Sequence, residues 1–125
     1  MRLEELEEMM TEEPSEAEAA IAELVSTSNV EQLAHIARSG RVHALELRAI
    51  DGLGEVGGPE ATEALVELLE AANTPFVVGG TEQRMERAEV QARLLKALAR
   101  TRGVAMPPVR SQGEIAEFIA SIRKR

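Results

Sequence analysis

Cysteine, tryptophan and tyrosine are all missing from this chain of 125 residues, and phenylalanine occurs only at Phe76 and Phe118. The first absence excludes a disulfide scaffold, a thiol nucleophile, an iron–sulfur cluster and cysteine-ligated zinc. Scarce aromatics beside plentiful Ala, Glu, Leu and Arg are poor material for strands and good material for helices, which argues against an all-β fold. No apolar run approaches the roughly twenty residues of a membrane span. The opening MRLEELEEMM is acidic where a secretory signal is basic and then apolar. The expectation is a soluble, cytoplasmic chain with no membrane partner. Positive charge is also short, with 14 Lys and Arg against 22 Asp and Glu, and the net of -8 argues against nucleic acid as a partner. A hydrophobic content of 44% suffices for one modest core, so residues 1–125 read as a single domain.

The charge is unevenly divided. Residues 1–81 carry 4 basic and 17 acidic side chains, and residues 82–125 carry 10 basic and 5 acidic, so the two parts stand at -13 and +5. Such a chain can offer its two ends to different partners or pack head to tail with its own copies as a homo-oligomer.

Helix signals punctuate the whole length. A short acidic helix is expected over about 2–10. Pro14 and the Ser15/Glu18 capping box open a helix to about residue 26, and Ser28-Asn29 cap a second that closes at Gly40. A third runs through Ala44 to Val56 and stops at Gly57-Gly58, after which Pro59 suits the first turn of a helix to about residue 72. Beyond the NTPFVVGGT break, a long helix over about 82–102 ends at Gly103. Ser111 and Glu114 then form another capping box before Ile115, Phe118, Ile119 and Ile122, spaced as one helical face.

Overlaying these segments exposes a period near 30. Ala49, Ile50 and Leu53 match Ala20, Ile21 and Leu24 at an offset of 29, and Leu65 and Leu68 match Leu33 and Ile36 at 32. A wider third unit follows: Arg48, Ile50 and Leu53 match Arg93, Leu95 and Leu98 at 45, while Leu65, Leu68 and Leu69 match Ile115, Phe118 and Ile119 at 50. The hairpins are about 15–39, 42–72 and 82–124. Repeats of this length bury their apolar stripes only against neighbours, so stacking creates the core.

The stretch LELRAIDGLGEVGGPEATEALVELLEAA, residues 45–72, resembles HEAT repeats of the bilin-lyase-like type. Their pattern is an apolar residue, a basic one, A-[LI]-x-x-L-G-x-x-G and a following L-x-x-L-L helix. Weaker likeness extends over 15–39 and 90–122. Two departures stand out: Glu46 replaces a usual basic residue, and Ala99 replaces the Gly after the Leu in the last unit. The resemblance implies an all-α fold, a short α-α solenoid of about three HEAT-like helical hairpins after a short N-terminal helix. It supplies no catalytic motif.

Few residues invite a functional reading. Arg93, Lys96 and Arg100 share one helix face, and the matching positions a unit earlier are Arg48, Asp51 and Glu55. In a stack these rows run side by side, forming ion pairs between repeats or a mixed-charge surface for an acidic peptide. HEAT arrays commonly line their groove with second helices, which here carry Glu63, Glu67 and Glu70 and would suit a basic partner. The 74–81 loop holds Phe76, Val77 and Val78, which either fold back onto the core or meet a partner. Glu46 and Gln91 fall at the same repeat position on an apolar arc, which suggests a hydrogen-bonded ladder between units. His43 shares the face of Glu46, but neither it nor His35 has a third ligand in prospect, and a structural histidine is the commoner case. Gly52-x-Gly54-x-x-Gly57 imitates a dinucleotide fingerprint without the strand that must precede it. Small Ala44 and Ala49 beside Gly52 and Gly54 predict close backbone approach. The expected function is a non-catalytic protein–protein interaction module or scaffold, binding another protein through one helix row and the 74–81 loop, with no cofactor or metal. The alternative, drawn from the resemblance, is an accessory subunit of a bilin-lyase-like enzyme that attaches or removes a tetrapyrrole.

Overall fold

The computed structural model describes residues 12–39, 42–72, 81–104 and 112–123, together with Glu5, Glu7 and Glu8. Six helices lie in this part: α1 (Pro14–Ser26), α2 (Val30–Ser39), α3 (His43–Val56), α4 (Gly58–Ala72), α5 (Thr81–Arg102) and α6 (Gln112–Arg123). The chain is all-helical there, with no strand among the described residues. Glu5, Glu7 and Glu8 are helical, while most of the helix expected over 2–10 lies outside the described residues, as do Gly40, Ser111 and the whole of 73–80.

Local chemistry sets the helix ends. Pro14 occupies the first turn of α1, where its missing N–H is not needed, so the helix starts one residue before the capping box at Ser15 could act. The cap position falls to Glu13, whose side chain makes no capping bond. At α2 the expected cap forms, with Asn29 Oδ1 accepting from the Gln32 amide at 3.2 Å. α3 and α5 end at Gly57 and Gly103, whose φ values of +66° and +64° lie in the left-handed region that costs a side chain energy. After Gly103 the Val104 amide reaches back to the Ala99 carbonyl at 3.0 Å.

Helix packing alternates along the chain. α1 packs on α3 and α3 on α5, while α2 packs on α4 and α4 on α6; α1–α2 and α3–α4 contact as consecutive pairs, and α2–α3 and α4–α5 contact across them. α3 is central, touching α1, α2, α4 and α5. One apolar cluster extends from Ile21 to Ile122. The positions matched by the sequence period fall in or against it: Ile21, Ile50 and Leu95; Leu24, Leu53 and Leu98; Leu33, Leu65 and Ile115. Gly52 and Gly54 are buried at close approaches, a Cβ on Gly54 lying 3.1 Å from Ala97 Cβ and one on Gly52 lying 3.1 Å from Val25 Cγ2. Ala49 is buried beside them, whereas Ala44 is exposed and takes no part.

Candidate functional site

The odd-numbered helices present a row of charge. Arg48 on α3, half-buried, donates from Nε to Glu18 Oε2 of α1 at 2.7 Å and stands 3.9 Å from Glu55 on its own helix. Arg93, its counterpart on α5, donates from Nη1 to Asp51 Oδ2 of α3 at 2.5 Å. Each arginine thus takes a carboxylate from the preceding odd helix, and ion pairing between units accounts for Arg48, Asp51 and Arg93. Lys96 and Arg100 differ. Both are exposed, and neither makes an ion pair among the described residues. They border a shallow groove of about 240 Å³ between α3 and α5, whose other wall carries Arg48, Asp51 and Glu55 and whose lining includes Gly54 and Ala97. Phe76, Val77 and Val78, expected beside this surface, lie outside the described residues.

The even-numbered helices have their own pairing. Arg123 of α6 donates from Nη2 to Glu70 Oε1 at 2.6 Å and from Nη1 to Glu70 Oε2 at 3.3 Å, and it lies 3.7 Å from Glu63. Of the acidic row expected to attract a basic partner, Glu63 and Glu70 are therefore partly neutralised from within the chain, and Glu67 alone makes no ion pair among the described residues.

The ladder expected between Glu46 and Gln91 does not form. Gln91 Nε2 donates instead to the Ala72 carbonyl at 2.7 Å, because the last turn of α4 leaves carbonyls without a helical partner. His43 likewise bypasses Glu46 and sits 3.2 Å from Glu89 Oε2 of α5, with His35 exposed on α2. Burial pushes the Glu46 carboxyl above its ordinary pKa; neighbouring Glu86 adds to the rise and His43 opposes it. No group of three or more metal-ligating His, Asp or Glu side chains occurs among the described residues. None of the described helices is long and apolar enough to cross a membrane.

Compared with known proteins, the chain matches no family model, no curated protein and no solved structure.

Sequence reasoning missed Glu18 and Glu89, the partners of Arg48 and His43. For Glu18 a signal existed: it immediately precedes Ala19, which an offset of 29 places opposite Arg48. For Glu89 none did, since its position depends on how far α5 slides along α3.

Proposed function

We propose that the three helix pairs form a short α-solenoid of HEAT-like hairpins and that the chain is a non-catalytic interaction module, docking another protein on its odd-numbered helix row. The contacts of α1 with α3 and α3 with α5, alongside α2 with α4 and α4 with α6, support the stacking. The observation that carries the docking is the pair Lys96 and Arg100. Arg48 and Arg93 are satisfied within the chain, whereas these two exposed cations border a groove and make no ion pair among the described residues. A partner supplying Asp or Glu side chains there gains two ion pairs and steering at low salt.

Co-purification with the intact chain as bait, followed by mass spectrometry, tests this reading. A partner held by the native chain and lost from the Lys96→Glu/Arg100→Glu variant, at unchanged helicity and Tm, is the expected result. A partner retained equally by both would overturn docking on this row. Replacing 74–81 by a Gly-Ser turn separates the two roles open to Phe76, Val77 and Val78: a large loss of Tm marks them as core, and lost binding at intact stability marks them as contact residues. An absorbance shift on mixing the chain with a bilin would move the reading to the accessory-subunit alternative.

A further inference from the structure

The two ends of the odd-numbered row carry charge of opposite sign. α1 is the acidic end, since ten Glu and no Lys or Arg lie between Arg2 and Arg38. Arg48 of α3 takes up Glu18. Glu12, Glu13 and Glu16, at the start of α1, are exposed and make no ion pair among the described residues. Glu13 and Glu16 share a hydrogen bond and repel each other, which lifts the Glu16 carboxyl above its ordinary pKa. α5 is the basic end, with Lys96 and Arg100 exposed. The two carboxylates that line the groove beside these cations are already engaged: Asp51 pairs with Arg93, and Glu55 lies 3.9 Å from Arg48. α3 contacts both α1 and α5, yet among the described residues no ion pair joins Glu12, Glu13 or Glu16 to Lys96 or Arg100. Charges that do not meet within one copy are free to meet between two.

We propose that the occupant of the Lys96–Arg100 surface is a second copy of this chain, whose Glu13 and Glu16 carboxylates dock there and complete the ion pairs. The inference rests on docking at the odd-numbered row and adds which protein docks. α1 against α1 would set carboxylates against carboxylates, and α5 against α5 cations against cations, so the contact runs head to tail. A dimer of this kind keeps one acidic and one basic end free, and assembly continues beyond it. Each copy carries a net charge of -8, so long-range repulsion opposes the local attraction and the association is weak, with Kd on the order of 100 μM.

Sedimentation velocity on the full chain, from about 10 μM to about 1 mM, tests the proposal. The native chain should form species larger than a dimer as concentration rises. Lys96→Gln/Arg100→Gln and Glu13→Gln/Glu16→Gln change exposed residues, and each variant alone should stay monomeric with unchanged helicity. The acidic-end variant is the sharper of the two. Its net charge is smaller in magnitude, so relief of general repulsion would strengthen association where loss of the docking carboxylates abolishes it. Mixed in equal amounts, the two variants should form a dimer and stop there, because one supplies the acidic end and the other the basic end. A native chain that stays monomeric throughout, association unchanged in either variant, or a mixture that remains monomeric would each overturn the second copy as occupant. If the native chain stays monomeric while Lys96→Glu/Arg100→Glu still loses a co-purified partner, only the second copy fails and docking on this row stands. A partner retained equally by the native chain and that variant removes both.

Discussion

Gly54 and Gly52 show how much one hydrogen atom decides at a helix contact. A Cβ on Gly54 meets Ala97 at both Cβ, 3.1 Å, and Cα, 3.2 Å, so the α5 backbone itself stands in the way. On Gly52 it meets only the methyl ends of Val25 and Leu33, at 3.1 and 3.3 Å, which can turn aside. Alanine also favours a helix over glycine by about 1 kcal/mol. Gly52→Ala should therefore be close to neutral and Gly54→Ala clearly destabilising, while Gly54→Leu loses about 1–3 kcal/mol or more through overpacking. Denaturant midpoints check the order, and equal shifts for the two alanine variants would contradict it. Glu46 makes the second prediction at this scale. Its carboxyl holds its proton more tightly folded than unfolded, so ionisation weakens the fold. The penalty is absent below the ordinary carboxyl pKa, grows as pH rises toward the raised folded value and is complete above it. Glu46→Gln should raise Tm at about pH 7 and leave it nearly unchanged at about pH 3.5, where both forms are neutral. A constant difference across that range would mean that the gain has another cause.

At the scale of the element, short-range rules worked where the competing signals were local. Asn29 and Gly103 end or begin helices as their chemistry dictates, and Asn29→Ala should cost about 1 kcal/mol in a thermal melt because the Gln32 amide loses its acceptor. Ser15 was the exception, since Pro14 ahead of it supplied a stronger start. Pairs between elements were harder to read. The Glu46–Gln91 ladder looked plausible from periodicity, yet the free Ala72 carbonyl at the end of α4 took the Gln91 amide, a competitor that no helical wheel displays. The Asp51–Arg93 pair joins α3 to α5 at a partly exposed position. A double-mutant cycle with alanine at both sites should give a coupling below about 1 kcal/mol, because solvent screens the pair and ordering two side chains offsets part of the gain. A coupling several times larger would show it to be a principal clamp between the two helices.

For the whole molecule, the division of charge matters more than its sum. Crowding at the acidic end is visible in Glu16, whose carboxyl is raised by a hydrogen bond and by repulsion from Glu13. Arg48 and Arg93 are both absorbed by carboxylates on the preceding odd helix, whereas Lys96 and Arg100 make no ion pair among the described residues. If these two cations recruit a partner, raising salt from about 50 to 500 mM should weaken the complex, while the Asp51–Arg93 pair within the chain changes stability little. Surface plasmon resonance on the native complex reads the first effect and a melt the second. By itself the sequence determined the helical class, most helix ends and the apolar positions that meet in one core, because propensity, capping and periodicity act within a few residues. It also placed Arg48, Asp51, Glu55, Lys96 and Arg100 in adjoining rows, because the repeat offset carries that information. Which charges are satisfied, that Gln91 and His43 turn to Ala72 and Glu89, and that Glu46 and Glu86 are left facing one cleft were decided only by the tertiary structure. Those outcomes depend on how far one helix slides along another, which sequence periodicity does not encode.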